Sequence, residues 1–136
     1  MQRLNYTTQY SGKYLNNYGQ DAVGGTDHVP PGWDDWFGLV GNSKFYNYTV
    51  SDNGESVWYN NSYEEDYFTD VLSDRVVDFV KDSANAKSGK PFFSIVATPA
   101  AHTNFAAAPK YVANERSERA KIRGIVLIDN SLHQQR

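Results

Sequence analysis

Tyr67-Phe68-Thr69-Asp70-Val71-Leu72-Ser73-Asp74-Arg75-Val76-Val77-Asp78-Phe79-Val80-Lys81-Asp82, a polar linker from Ser83 to Lys90, and then Pro91-Phe92-Phe93-Ser94-Ile95-Val96-Ala97-Thr98 form the succession that decides the fold class. In the first segment Phe68, Val71, Leu72, Val76, Phe79 and Val80 recur at the spacing of one helix face. Asp70, Asp74, Asp78 and Lys81 fall on the other side. The last segment is a nearly continuous apolar run bounded by prolines, the pattern of a strand buried on both faces of a helix-covered parallel sheet. A helix feeding such a strand predicts an α/β layer architecture. Ligand sites in these sheets lie beyond the carboxyl ends of the strands. Here that end is Thr98-Pro99-Ala100-Ala101-His102.

Working outward, Tyr6 to Ser11 is β-prone and ends at Gly12, a strand end that would deliver Lys13 to a loop. Asn16 to Asp35 is rich in Gly, Pro, Asn and Asp, and Val29-Pro30-Pro31-Gly32-Trp33 cannot be regular helix. The segment predicts a long structured loop pinned by Trp33 and Trp36. Phe45 to Val50 alternates as a half-buried strand does. Ser51-Asp52-Asn53-Gly54-Glu55 signals a turn, and Ser56 to Tyr59 can return as the second strand of a hairpin. Glu115 to Lys121 is charged and fits helix or loop; Ile125 to Ile128 is apolar and fits strand or helix.

The chain has 136 residues, the size of one domain or part of one. Its 10 Tyr, 7 Phe and 3 Trp suit a carbohydrate-handling surface and a tyrosine-rich core equally well. A formal net charge of −3 argues against a polycation that neutralises phosphates, and so against nucleic acid as a partner. No apolar run approaches the roughly 18 residues of a membrane-spanning helix, and Met1 to Tyr10 lacks the apolar centre of a signal peptide. Cysteine is absent, which removes disulfides, cysteine-built zinc sites and any cysteine-derived nucleophile from these residues. Asn5-Tyr6-Thr7, Asn47-Tyr48-Thr49 and Asn60-Asn61-Ser62 are N-glycosylation acceptor triplets, so Asn5, Asn47 and Asn60 are candidate glycan sites and the secretory pathway is favoured. A chain cut from a longer precursor reconciles these triplets with the missing leader.

Lys13, after Gly12 at a strand end, can set a point charge against an anion, though its spacing equally fits a solvated surface lysine. His102, just past the apolar strand, can give a hydrogen bond or a proton to a ligand, or be a loop histidine without a role. Asp27-His28 fits a metal site less well than an ordinary turn. Asp34-Asp35 and Glu64-Glu65-Asp66 lack the ligand spacing of a calcium loop. The latter cluster better serves to charge a helix N-terminus.

At Gly12-Lys13-Tyr14-Leu15-Asn16-Asn17-Tyr18-Gly19 the sequence resembles the sulfatase family, specifically its N-acetylglucosamine-6-sulfatase branch. The resemblance continues through His28-Val29-Pro30-Pro31-Gly32-Trp33-Asp34-Asp35-Trp36, then Asn42-Ser43-Lys44-Phe45-Tyr46-Asn47-Tyr48-Thr49. It resumes at Asp66-Tyr67-Phe68-Thr69-Asp70-Val71-Leu72, and closes on Pro91-Phe92-Phe93 and Ala97-Thr98-Pro99-Ala100-Ala101-His102. It covers Tyr6 to Tyr111 in order. It implies a partial alkaline-phosphatase-like sandwich, a mainly parallel sheet flanked by helices, with residues 1–136 a fragment of the N-terminal catalytic domain. It implies hydrolysis of sulfate esters by the full-length parent, with the 6-O-sulfate of N-acetylglucosamine in heparan or keratan sulfate as substrate, in a lysosomal or secreted glycoprotein.

By the same resemblance Lys13 matches the lysine that holds the sulfate and the nucleophile oxygen. His102 matches the histidine at the sulfate ester oxygen. Many sulfatases carry a second histidine two residues after the lysine, where this chain has Leu15. The family nucleophile is a formylglycine made from cysteine in a Cys-x-Pro-Ser-Arg motif, expected before Gly12. A calcium ion held by acidic and amide side chains polarises the sulfate. Its Asp-Asn pair is expected well after His102. Asp129-Asn130 is tempting for that role, but Ile125 to Asn130 is more similar to a family segment reading Phe-Leu-Asp-Asn, and the stretch between Tyr111 and that segment is shorter than in the family. This chain alone is therefore expected to be inactive and to leave Pro91–Thr98 unpaired on at least one edge. A non-catalytic protein that binds sulfated glycans is the alternative, and an unrelated interaction domain a remote third.

Overall fold

The computed structural model describes residues 1–103 and 106–112, in two units, Met1–Ala106 and Ala107–Arg136. In the second unit residues 109–112 form a helical turn, with the Tyr111 N–H donating to the Ala108 carbonyl. Glu115–Lys121, Ile125–Ile128 and Asp129-Asn130 lie outside the described residues.

Among the described residues the first unit is built on five strands, β1 (Thr7–Lys13), β2 (Asp35–Leu39), β3 (Tyr48–Asp52), β4 (Glu55–Tyr59) and β5 (Phe92–Ala97), with one α-helix, α1 (Phe68–Asn85). The order across the sheet is β4-β3-β2-β1-β5. β1 runs parallel to both β2 and β5, and β2, β3 and β4 are joined antiparallel. The sheet is thus mixed and flanked by a helix, in agreement with the expected α/β class.

Register sorts the side chains. Tyr10 pairs with Trp36 and Ser11 with Phe37, so alternate residues of β1 and β2 serve opposite faces. On one face Phe37, Leu39, Tyr48, Val50, Phe68 and Leu72 form a buried cluster under α1. Each such fully buried apolar side chain contributes about 1.5–3 kcal/mol. On the other face Tyr10, Tyr18 and Trp36 are buried together, with Val29, Trp33 and Ala97 packed against them. The Gly-Pro-rich segment between β1 and β2 covers this face. Trp33 stacks on Phe93 at 6.2 Å and Trp36 on Tyr10 at 4.8 Å, the pinning its tryptophans predict, although Trp36 itself belongs to β2.

The helix starts and ends close to its predicted bounds. Phe68 and Leu72 are its buried contacts, while Val80, assigned to the same face, is exposed because the stripe runs past the cluster. The strand predicted over Phe45 to Val50 begins only at Tyr48. Phe45 instead stacks on Tyr67 at 6.3 Å. The hairpin turn is Asn53-Gly54, both at positive φ, the geometry of a two-residue type I′ connection.

One expectation is overturned. Pro91–Thr98 is not buried on both faces: β5 is an edge strand, Val96 is 48% exposed, and Phe92 and Ile95 are exposed too. Among the described residues β5 pairs only with β1, so its run of apolar residues meets a neighbour along one edge, as the unpaired-edge expectation has it.

Candidate active site at the carboxyl end of the parallel strands

β1 ends at Lys13, β2 at Leu39 and β5 at Ala97, all at the same end of the sheet. Gly12 pairs with Ala97 at φ +119, and a Cβ there would lie 2.1 Å from the Ala97 carbonyl oxygen. Only glycine allows this approach. It places Lys13 and the Thr98–His102 turn, as neighbours in register, at one end of adjacent strands.

The Lys13 ammonium donates to Asn16 Oδ1 at 2.7 Å and sits 3.4 Å from the Tyr14 carbonyl. Among the described residues no carboxylate lies within ion-pair distance of it. Burial pushes its pKa below the ordinary lysine value. A cation held by neutral oxygens keeps its charge available to an incoming anion. The turn that holds it is fixed from below. The Tyr10 hydroxyl donates to the Lys13 carbonyl, the Trp36 indole N–H donates to the Tyr18 hydroxyl at 2.7 Å, and Tyr18 donates onward to the His28 carbonyl at 2.9 Å. The Gly41 N–H donates to the Tyr18 carbonyl at 2.9 Å, tying the turn to the end of β2.

His102 is exposed. Its backbone N–H closes a turn on the Pro99 carbonyl at 2.7 Å, and its Nδ1 lies 3.1 Å from Thr103 Oγ1. Lys13 and His102 therefore share one end of the sheet.

The acidic candidates are engaged elsewhere. Asp34 accepts from the Thr8 N–H and hydroxyl and from Gln2. Asp35 accepts from Gln9 at 2.7 Å and from Arg75 at 2.5 Å, and Arg75 also holds Asp52 at 2.8 Å while lying over the Phe37 ring. Burial raises the Asp35 pKa, but the bonds from Arg75 and Gln9 outweigh it, so the carboxyl titrates below the usual range. Asp66 accepts from the Ser62 N–H at 2.8 Å, closing the turn before α1. His28 lines a small cleft beside Tyr14. Asn5, Asn47 and Asn60 are all exposed, and the Asn47 N–H donates to the Asn60 carbonyl at 2.7 Å across the hairpin.

Sequence reading missed the Arg75 clamp, which joins residues 23 and 40 positions apart and has no local signature. It also missed Asn16 as the partner of Lys13, although an amide three residues past a cation at a strand end is a pattern that could suggest one.

A family model described as Sulfatase matches residues 1–133. The chain belongs to the sulfatase family. The sulfatase chain is 47% identical over 106 residues to human N-acetylglucosamine-6-sulfatase, covering 78% of this chain and 19% of that protein. It is 40% identical over 122 residues to a putative extracellular sulfatase Sulf-1 homolog of Caenorhabditis elegans, covering 88% of this chain and 16% of that one. It thus spans about a fifth of the length of the curated relatives it matches. A solved structure of a protein in complex with its substrate D-glucosamine-2-N,6-O-disulfate superposes with a TM-score of 0.60 at 22% identity, over 90% of this chain and 21% of that one. That likeness supports the alkaline-phosphatase-like sandwich. No group of three or more His, Cys, Asp and Glu gathers among the described residues of the sulfatase chain. Asp35 and Asp52 are both bound to the single guanidinium of Arg75.

Proposed function

We propose that the protein to which this chain belongs hydrolyses sulfate esters, with the 6-O-sulfate of N-acetylglucosamine in glycosaminoglycans such as heparan or keratan sulfate as its substrate. The observation that carries this reading is the family match across residues 1–133, joined by 47% identity to a protein named N-acetylglucosamine-6-sulfatase. Lys13 binds a sulfate oxygen and the oxygen of the nucleophile. His102 donates to the ester oxygen as it departs. A cation and a proton donor aimed at developing negative charge are the elements this displacement requires. The formylglycine nucleophile and the calcium ion belong to the parent protein outside the described residues, so this chain by itself does not turn over substrate. Asn5, Asn47 and Asn60 carry glycans, in keeping with a lysosomal or secreted parent.

In the full-length protein, Lys13→Ala and His102→Ala each lower sulfate release from N-acetylglucosamine 6-sulfate by about 10²–10³-fold while circular dichroism stays unchanged. Near-normal turnover in either variant removes that residue from the site.

A further inference from the structure

Two of the three tryptophans are engaged: Trp36 packs on Tyr10 and Tyr18, and Trp33 stacks on Phe93. The third, Trp58 on β4, is 60% exposed, and among the described residues it stacks on no other ring. Its direction follows from register. Trp58 pairs with Thr49, and Val57 with Val50. Tyr48 and Val50 belong to the cluster under α1, so Thr49 and Trp58 point to the opposite face of the sheet. The Gly-Pro-rich segment covers that face only as far as β3. Ser51 is fully buried there and its hydroxyl donates to the Thr26 carbonyl at 2.6 Å, whereas its β4 partner Ser56 is exposed, like Trp58.

The ladder runs one residue past β4. The Asn47 N–H donates to the Asn60 carbonyl at 2.7 Å, which extends the register of the Tyr48–Tyr59 pair. By alternation Asn60 stands on the face of Trp58, about 7 Å farther along the strand. It is exposed and opens the acceptor triplet Asn60-Asn61-Ser62. We propose that Trp58 is the platform for the glycan on Asn60, with its indole packed on the C–H face of the first N-acetylglucosamine. The proposal rests on the reading that Asn60 is glycosylated, and it names the protein surface that the sugar covers. One face of a pyranose presents axial C–H bonds, whose partial positive charge suits the negative face of an aromatic ring. The covalent link to Asn60 keeps the sugar at high effective concentration over the indole, so a single weak contact suffices. Thr49, beside Trp58 on the same face, offers a hydroxyl to the polar edge of the sugar. Asn47 is less suited to the same ring, because its φ of +50 takes it out of the extended alternation.

The test uses the full-length protein secreted from glycosylating cells. Glycopeptide mass spectrometry reads the occupancy of Asn60, and then the rate at which peptide N-glycosidase releases that glycan from the folded protein. A sugar packed on Trp58 is withheld from the enzyme. Trp58→Ser therefore speeds release at Asn60 by about two- to tenfold, the worth of one aromatic contact. Trp58→Phe keeps a ring and most of the protection. An unoccupied Asn60 in the wild type overturns the glycan reading itself. An occupied Asn60 that is released equally fast from wild type and Trp58→Ser overturns the platform alone. A lower melting temperature on adding Trp58→Ser to an Asn60→Gln background also overturns the platform, since the indole then packs on protein rather than on sugar.

Discussion

The two faces of the sheet are held in different ways. Under α1 the contacts are a continuous cluster of aliphatic and aromatic side chains, Phe68 and Leu72 from the helix and Phe37, Leu39, Tyr48 and Val50 from the strands. On the opposite face no α-helix packs among the described residues. A Gly-Pro-rich segment is fastened by three aromatic residues and a relay of hydrogen bonds running Trp36 to Tyr18 to His28. The helix face gives the unit its stability by apolar area. The loop face gives it shape, because directional bonds fix where Lys13 and the cleft stand. Stability and site are thereby separable to a degree that one packed core on both faces would not allow.

The largest expected effect is on the helix face. Phe68→Ala removes a fully buried ring that packs on Phe37 and Tyr48, at a cost of about 3–5 kcal/mol. Thermal unfolding of the intact protein should show it, and a shift smaller than that of any loop-face variant would reverse the assignment of the two faces. Next comes Tyr18→Phe. It takes away the acceptor of the buried Trp36 indole N–H and the donor to His28, at about 1–3 kcal/mol for an orphaned polar group. Hydrogen exchange should rise in residues 14–28 and stay unchanged in α1. Exchange that rises equally in both would show the faces to be one cooperative unit.

The smallest effect appears only in acid. The Asp35 pKa is depressed in the folded state, so its ionised form adds stability above the unfolded value of about 3.9. That contribution is lost as pH falls through the lower folded value. Asp35→Asn should therefore melt below the wild type at pH 6, by about 1–2 kcal/mol for a lost charge-assisted bond, and the gap should narrow below about pH 4. No gap at pH 6 would mean that Arg75 owes its place to Asp52 alone.

This contrast also explains what could be read from the residues in advance. The helix face was legible because its cause is local: the spacing of Phe68, Val71 and Leu72 is a property of one segment. The hairpin was legible from Asn53-Gly54 for the same reason. Two-sided burial of Phe92 to Ala97 was not, since an apolar run states what a strand can tolerate and not which neighbours it has. The loop face was read as a pinned loop, but its relay joins residues 10 and 18 positions apart through geometry that no periodicity records. At the site, Lys13 and His102 were picked out by their places after two strands. The cleft lined by Tyr14, Val23 and His28 was hidden, because these residues meet only once the chain doubles back.

The Asn53-Gly54 turn carries a consequence for the protein's chemical ageing. Asparagine followed by glycine is the pair most prone to cyclise through the next backbone nitrogen and deamidate. Here Asn53 accepts from the Trp36 N–H at 2.8 Å and donates to Asp35 at 3.2 Å and Asp52 at 3.1 Å. Those bonds restrain the side chain from the rotation that cyclisation needs. Should the turn deamidate, the new carboxylate would face the two already shared by Arg75, and a donor would become a like charge. The clock that starts with an aged turn would run out at the clamp between strand and helix.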